Sequence, residues 1–323
     1  MKAIVQTRYG SPDELSLDDV DEPEPDVGQV KVRVRAASLN ARDWHLMRGD
    51  PYVARLSSEF GRRGPREPIR GSDFAGTVEA VGPDVVGLRP GDEVYGECDG
   101  ALAEYVCAPE RLVARKPANL TFEQAAAVPL AATTALQALT GRVRPGQSVL
   151  VNGASGGVGT FAVQLARALG AEVTAVCSTR NVELLRSLGA EVVDYTRDDA
   201  FRAGRRHDVV LDLVGNRSLR DLRRALTPAG TLILSGGGTS RGGSFLGPIG
   251  LLVRGRLAGP FVSQRIVALQ VVPGAEHLDA LRELAEAGTI VPVIDRTYPL
   301  PAAADALRYL EHEHARAKVV VTV

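Results

Sequence analysis

Cysteine is scarce in this chain, and the three that occur, Cys98, Cys107 and Cys177, are scattered along the sequence. Three separated thiols cannot form a full disulfide framework, and no C-x-x-C pair is present. We therefore expect each cysteine to be a small buried or half-buried apolar residue, and not a metal ligand or a nucleophile. This pattern of cysteine use is typical of a protein from a reducing compartment.

The chain also lacks an excess of either charge, with 38 basic against 39 acidic residues. Such a balance gives no broad positive field for nucleic acid, and no basic run with interleaved aromatic residues occurs. The N-terminal residues MKAIVQTRYG do not form a secretory signal, and no segment is apolar for long enough to cross a bilayer. Together these absences predict a cytoplasmic protein that binds neither nucleic acid nor membrane. The length of 323 residues suits about two domains.

A glycine-rich segment lies in the middle of the chain, where residues 147–160 read QSVLVNGASGGVGT. It follows an apolar strand pattern and precedes a helical one. Glycines at such a place permit a tight turn, a close approach of the backbone to a pyrophosphate, and close packing of the helix on the sheet. The helix start adds free N–H groups and a positive dipole end. The residues predicted to bind a dinucleotide here are Ala154, Ser155, Gly156, Gly157, Val158 and Gly159.

The end of the next strand pattern, about twenty residues further on, indicates which dinucleotide is bound. An NAD site usually presents a carboxylate there to the ribose 2′-hydroxyl, but residues 177–181 read CSTRN. Ser178 and Arg180 offer a hydroxyl and a guanidinium, which would bind a 2′-phosphate that a carboxylate would repel. The sequence therefore favours NADP(H) over NAD(H).

The same turn also satisfies G-x-S-x-G, the nucleophile elbow of serine hydrolases. A hydrolase that uses Ser155 would need an acid and a histidine downstream, and chain order nominates Asp212 and His277. Because the continuing Val158-Gly159 and the next strand–helix unit fit a dinucleotide better, the hydrolase is the remote alternative.

The predicted secondary structure changes partway along the chain. In the first part we predict short strands separated by turns, near residues 3–6, 30–37, 73–81, 92–95 and 103–107. From about residue 121 a helical run over 122–139 leads into alternating strands and helices, which indicate a parallel sheet. Six strands are predicted there, at 148–152, 172–176, 192–194, 208–213, 231–235 and 265–272. Residues 240–260 are expected to form a mobile loop, and a helix at 277–286, a strand near 291–294, a helix at 302–312 and a strand at 318–323 complete the chain.

Several ordered motifs resemble one family. They are AASLN at 36–40, GSDFAG at 71–76, GDEVYG at 91–96, GALAEY at 100–105 and the turn GASGGVG. In these motifs the chain resembles the medium-chain dehydrogenases/reductases and, within them, the zinc-free quinone oxidoreductases similar to zeta-crystallin. The resemblance implies an α/β protein with a GroES-like β-barrel catalytic domain, at 1–124 and 273–323, and a Rossmann NADP-binding domain with a doubly wound parallel sheet, at 125–272.

The resemblance also implies that no metal is bound. The alcohol dehydrogenase branch of this superfamily polarises its substrate through a metal held by cysteine, histidine and cysteine. By motif alignment those three positions carry Asn40, Ser72 and Leu130 here, and none of these is a strong zinc ligand. Without a metal, the expected reaction is hydride transfer from NADPH to a quinone or an α,β-unsaturated carbonyl.

Further site residues follow from the resemblance. It implies catalytic roles for Asn40, near the nicotinamide, and for Tyr52, with the proton expected from Tyr52, from another polar group or from solvent. Thr134 would lie near the nicotinamide carboxamide, and Tyr195 would contact the 2′-phosphate. Ligands also bind outside the carboxyl ends of parallel strands, which adds the predicted cofactor residues Leu213, Val214, Gly215, Ser235, Gly236 and Gly237.

Two expectations concern assembly and an alternative function. Relatives of this kind often pair through the last strand of the nucleotide domain, so we expect a homodimer. The other expected partner is a small-molecule quinone or enone substrate. The alternative to an enzyme is a non-catalytic NADPH-binding sensor or interaction protein of the same fold.

Overall fold

The computed structural model describes residues 1–57, 60–202, 204–236, 247, 249–313 and 315–323. The chain divides into two compact units. One combines Met1–Thr133 with Val272–Val323, and the other is Thr134–Val271. No helix within the described ranges is long and apolar enough to cross a membrane.

The strands and helices are numbered in chain order. The strands are β1 Lys2–Val5, β2 Ser16–Asp19, β3 Gln29–Leu39, β4 Asp73–Val81, β5 Glu93–Glu97, β6 Tyr105–Pro109, β7 Val113–Arg115, β8 Ser148–Asn152, β9 Glu172–Cys177, β10 Glu191–Asp194, β11 His207–Asp212, β12 Leu226–Leu234, β13 Arg265–Ala268, β14 Ile294–Pro299 and β15 Lys318–Thr322. The helices are α1 Ala41–Arg48, α2 Phe122–Ala126, α3 Pro129–Leu139, α4 Gly157–Ala168, α5 Val182–Ser187, α6 Leu219–Arg224, α7 Ile249–Ala258, α8 Ala275–Glu286 and α9 Ala303–His312.

The first unit is built on a mixed sheet in the order β14-β15-β3-β4-β5-β7, with β6 also paired to β3. Within β3, Val30, Val32 and Val34 are buried while Arg33 and Arg35 are exposed, because successive side chains of a strand point to opposite faces. The C-terminal strand β15 lies inside this sheet, parallel to β14 and antiparallel to β3. Strands from the last part of the chain, β14 and β15, therefore complete the sheet that β3 begins.

The second unit contains a parallel sheet in the order β10-β9-β8-β11-β12-β13. Its buried residues include Leu150, Val176, Val210 and Leu232, which form one apolar cluster with Leu222 of α6. Parallel strands covered on both faces carry such near-continuous apolar runs. The six strands predicted from the sequence are all present, so the α/β class and the doubly wound parallel sheet are confirmed.

Three local predictions are wrong. The helical run over 122–139 is two helices, α2 and α3, because Pro129 lacks the N–H that would continue the first helix. The loop expected over 240–260 contains α7, whose Leu251 and Leu252 pack against the apolar cluster of the second unit; residues 240–246 and 248 lie outside the described residues. The strand expected near 291–294 starts at Ile294 and continues to Pro299.

Helix α1 was not expected, although the sequence carries its start signal. Asn40 precedes the helix and Asp43 is its third residue, and the Asp43 carboxylate accepts a 2.7 Å hydrogen bond from the Asn40 backbone N–H. This is half of a capping box, a pattern that marks a helix N-terminus. The helix ends at Gly49, which adopts a left-handed conformation with φ of 61°.

Candidate active site

The glycine-rich turn links the end of β8 to the start of α4. Gly153 has φ of +83°, in the left-handed region, and Gly159 lies so close to the turn that a Cβ there would come 2.3 Å from the Gly153 carbonyl oxygen. Glycine is therefore required at both positions by the protein's own packing. At Gly156 a Cβ would meet only the Gly153 oxygen, at an ordinary 3.5 Å. Internal packing therefore does not explain the glycine at position 156, whereas close approach of a ligand would.

The start of α4 has the features of a phosphate site. Gly156 is the N-cap residue and contributes no side-chain cap. The first backbone N–H groups of a helix have no partner within the helix, and the positive end of the dipole lies there. The residues present thus fit a dinucleotide pyrophosphate, which the turn from Ala154 to Gly159 would bind through backbone N–H groups.

The Ser155 hydroxyl, which would be the nucleophile of a serine hydrolase, is hydrogen-bonded to the side-chain amide of Asn181. The side-chain Nδ2 of Asn181 donates to Ser155 Oγ at 2.9 Å and to Ser178 Oγ at 3.3 Å. Asp212, the acid nominated for a hydrolase, accepts hydrogen bonds from Asn152 and from backbone N–H groups. Among the described residues, no histidine is hydrogen-bonded to Ser155 or to Asp212, so these contacts do not favour the nucleophile elbow.

The residues predicted to bind the 2′-phosphate lie at the ends of β9 and β10. Ser178 follows β9 and precedes a short 3-10 helix, Thr179–Asn181, in which Arg180 is exposed. Tyr195 is 55% exposed, and its backbone N–H donates to the Cys177 carbonyl oxygen at 3.0 Å. The structure thus brings Tyr195 to the strand end that Ser178 and Arg180 follow.

A carboxylate that was not predicted as a site residue, Asp194, also lies at this place. It is the last residue of β10, in register with Cys177. Its carboxylate accepts hydrogen bonds from the Thr179 hydroxyl at 2.6 Å and from Thr196, and the Thr179 bond is the main cause that lowers the Asp194 pKa. This carboxylate is therefore ionised and bound by neighbouring hydroxyls. The sequence contained a signal for Asp194 as a site residue, because it ends a predicted strand of the parallel sheet and ligands bind at such strand ends.

The other predicted cofactor residues lie at the carboxyl ends of β11 and β12. The Asp212 carboxylate accepts hydrogen bonds from the Val214 and Gly215 backbone N–H groups at 3.3 and 3.2 Å, which orders the turn that starts at Leu213. Ser235 and Gly236 follow β12, whereas Gly237 lies outside the described residues. Asp212 is thus a second-unit residue that positions this turn.

The first unit contains a buried polar cluster around Asp73. One carboxylate oxygen of Asp73, Oδ2, accepts hydrogen bonds from Ser38 Oγ at 3.1 Å, Asn40 Nδ2 at 2.9 Å and Lys318 Nζ at 3.3 Å. The other oxygen accepts from the Leu130 backbone N–H at 3.1 Å. All three positions equated with zinc ligands belong to this cluster, since Asn40 Nδ2 also donates to Ser72 Oγ at 3.3 Å.

Burial raises the pKa values of two carboxyl groups beside this cluster. Burial raises the pKa of Asp43, whose carboxylate accepts from the Asn40 backbone N–H and from Ser72 Oγ. Burial, and then the negative charge of Asp73, raise the pKa of Glu97 to about 8. The Lys318 ammonium is the cation in contact with Asp73, and both side chains are almost completely buried.

The two predicted catalytic residues differ in their surroundings. Asn40 is 6% exposed and its amide is hydrogen-bonded to Asp73, Ser72 and Lys318. Tyr52 is 46% exposed in a 3-10 helix, Tyr52–Leu56, with the Arg55 guanidinium 4.7 Å from its ring centre. Thr134 is 5% exposed within α3. The structure thus does not bring Asn40 and Tyr52 into one hydrogen-bonded group.

Asp73 and Lys318 were not predicted as site residues. A signal existed for both, since each is a charged residue at the start of a largely apolar strand, DFAGTVEAV and KVVVT. Charged residues are rarely buried unless they are paired. No group of three histidine, cysteine, aspartate or glutamate residues that could hold a metal ion occurs in the part of the chain that the structure describes.

Comparison with known proteins identifies the family. Residues 26–118 match the alcohol dehydrogenase GroES-like domain, and residues 188–321 match a family described as zinc-binding dehydrogenase. The chain is 35% identical to 2-methylene-furan-3-one reductase of Solanum lycopersicum, over 99% of this chain and 79% of that protein. It is 33% identical to the NADPH-dependent alkenal/one oxidoreductase of Arabidopsis thaliana, a chloroplastic protein, with the same coverage.

A solved structure agrees with these sequence matches. The quinone oxidoreductase from Coxiella burnetii aligns with a TM-score of 0.86 and 32% identity, over 100% of this chain and 99% of that chain. The chain therefore belongs to the medium-chain dehydrogenases/reductases, in their quinone oxidoreductase branch. This confirms the family and the fold class predicted from the sequence.

Proposed function

We propose that this protein reduces quinones or α,β-unsaturated carbonyls by hydride transfer from NADPH without the help of a metal. The coarser part, an oxidoreductase that uses NADP(H), is confirmed by the family and by relatives such as the NADPH-dependent alkenal/one oxidoreductase. What we propose beyond this is the class of acceptor and the independence of zinc. The main support is one observation: Asn40, Ser72 and Leu130 are hydrogen-bonded within the cluster around Asp73 and offer no set of metal ligands.

The acceptor class follows from the chemistry that remains when no Lewis acid is available. Hydride addition to a quinone or an enone delocalises negative charge onto the carbonyl oxygen, so these acceptors need less polarisation than a simple ketone does. NADPH supplies the hydride when it is bound. The chain contributes binding, orientation and hydrogen-bond donors for the developing enolate or phenolate oxygen. Relatives named for alkenal/one and methylene-furanone substrates support this class.

The preference for NADPH over NADH is proposed on the residues that follow β9 and β10. Ser178, Arg180 and Tyr195 present a hydroxyl, a guanidinium and a phenol ring near one strand end. Asp194 is held there by Thr179 and Thr196, so its two oxygens already accept hydrogen bonds from the protein. A guanidinium and hydroxyls suit a 2′-phosphate dianion.

The test is a turnover assay on the pure protein with a quinone, an alkenal, a cyclic enone and a simple alcohol or ketone. Loss of reduced nicotinamide absorbance is followed with NADPH and with NADH. We expect turnover of the first three acceptors with NADPH and none of the last. If NADPH binds but no acceptor is turned over, the non-catalytic sensor is favoured instead.

Metal independence is tested in the same preparation. Elemental analysis should find zinc far below one ion per chain, and incubation with a chelator should leave the rate unchanged. Stoichiometric zinc together with loss of activity on chelation would overturn this part of the proposal.

A further inference from the structure

Lys318 is a buried lysine at the start of strand β15, which lies between β14 and β3. Its side chain is 2% exposed, and its ammonium lies 3.3 Å from the Asp73 carboxylate, which is fully buried. The same ammonium donates a hydrogen bond to the Asn40 side-chain oxygen. Removing an ammonium from water is costly, so a lysine in such a place is retained only with partners that compensate the loss.

The contacts of Lys318 determine the orientation of the Asn40 amide. An ammonium can only donate and an ionised carboxylate can only accept hydrogen bonds. The amide oxygen of Asn40 must therefore face Lys318, and its Nδ2 must face Asp73, to which it donates at 2.9 Å. Without the ammonium, the amide oxygen would lose its donor and the carboxylate would lose its counter-charge.

The cluster also connects separate parts of the first unit. Asp73 is the first residue of β4, Asn40 precedes α1, Lys318 begins β15, and Leu130 lies in the first turn of α3. All of them meet at one carboxylate. A change in the charge of this cluster would thus act at the position where the predicted catalytic residue Asn40 is held.

We propose that Lys318 is a positioning residue for the active site: its buried ammonium is a built-in cation that holds the Asn40 amide in a single orientation against Asp73. This inference rests on the proposed function for its effect on catalysis, but not for its effect on Asn40. Lys318 does not contact the substrate or the cofactor in this proposal, and it acts through Asn40.

The variant that tests the proposal is Lys318→Met, which keeps a long unbranched side chain and removes the terminal charged group. The chain offers a matched control in Lys31→Met, because Lys31 is also a buried lysine of the first unit, paired with Glu22 at 2.7 Å and Glu24 at 3.3 Å. We expect Lys318→Met to lower kcat for NADPH-dependent quinone reduction by about tenfold or more while KM changes by no more than about twofold. Lys31→Met should leave kcat within about twofold of the wild type.

A second variant separates charge from stability. Lys318→Met alone leaves Asp73 buried without its cation, and breaking a buried pair in this way is destabilising. The double variant Lys318→Met with Asp73→Asn removes both charges and should recover much of the stability, measured by denaturant unfolding. If kcat returns to the wild-type value together with stability, Lys318 acts only by stabilising the fold and the proposal is wrong.

A measurement without turnover keeps the inference independent of the proposed function. Hydrogen exchange of the Asn40 side-chain NH₂ group is followed by NMR in the wild type and the two lysine variants. We expect exchange at least about tenfold faster in Lys318→Met and unchanged in Lys31→Met, since only the first removes the contact that holds the amide. Equal exchange in all three proteins would overturn the proposal, even if the wild type reduces no acceptor. Absence of turnover with the expected exchange would reject only the proposed function.

Discussion

Gly159, in the first turn of α4, packs directly against the carbonyl oxygen of Gly153, and a Cβ at position 159 would come within 2.3 Å of that oxygen. The turn and the helix are therefore in contact through two residues that lack side chains. This contact sets the distance between the predicted phosphate-binding turn and the helix start, where the first N–H groups of the helix lie.

Two glycine substitutions in this turn should differ in their effect on the free energy of unfolding. Gly159→Ala should destabilise the fold by about 1–3 kcal/mol, because the added methyl group overpacks the turn. Gly156→Ala should change the free energy of unfolding by less than about 0.5 kcal/mol, since its φ of −80° suits alanine and its Cβ would meet only ordinary contacts. Denaturant unfolding measures both.

NADPH binding should respond differently. If the backbone approaches the pyrophosphate at Gly156, the extra methyl group in Gly156→Ala should weaken NADPH binding by about 1.4 kcal/mol or more, a tenfold change in Kd. Titration calorimetry on the folded variant measures this. Wild-type affinity in Gly156→Ala would mean that the ligand does not approach this residue.

Arg180 provides a test of coenzyme preference. Arg180→Ala should weaken NADPH binding by about 1.5–3 kcal/mol, the range for hydrogen bonds to a charged partner, with little effect on NADH. Arg186→Ala is a suitable control, because Arg186 is an exposed arginine of the neighbouring helix α5 that pairs with Glu183. Equal losses for NADPH and NADH would contradict a role in binding the 2′-phosphate.

The raised pKa of Glu97 predicts how the free energy of unfolding depends on pH. Burial raises its pKa to about 8 in the folded protein, from an ordinary value of 4.5; the charges of Asp73 and Asp43 act in the same direction, and those of Arg42 and Lys318 oppose it. The folded state therefore binds this proton more tightly than the unfolded state does. This contribution is fully present below pH 4.5 and is lost as pH rises towards 8.

The variant Glu97→Gln should remove that part of the pH dependence. We expect its free energy of unfolding to decline less than that of the wild type between pH 5 and pH 8, within the window set by the two pKa values. Glu93→Gln is the control, because Glu93 lies on the same strand with an exposed side chain. An unchanged pH slope in Glu97→Gln would show that the Glu97 carboxyl does not keep its proton in the folded protein.

We propose that the protein forms a homodimer through β13. Within the described residues this strand ends the parallel sheet and pairs only with β12, so one side of its backbone is available for pairing. Sedimentation equilibrium should give the mass of two chains, and the mass of one chain would reject the proposal. The predicted cytoplasmic location also stays a prediction.

Much of the fold was predictable because its signals are local. The strand patterns of the second unit, the glycine-rich turn and the ordered motifs of the first part all lie in short stretches of sequence, and the six predicted strands match β8 to β13. The exceptions have tertiary causes. Helix α7 was missed because its glycine and arginine content hides the packing of Leu251 and Leu252 on the core of the second unit.

The sequence by itself determined the family, the glycine-rich turn between strand and helix, and the absence of strong zinc ligands at Asn40, Ser72 and Leu130, since each depends on residue type at a fixed place. Only the tertiary structure decided that Lys318 meets Asp73, 245 residues away along the chain, and that both share Asn40. The pairing of β15 with β3 brings these side chains together. A buried ion pair depends on which strands are neighbours and in what register, and no local pattern of residues records that.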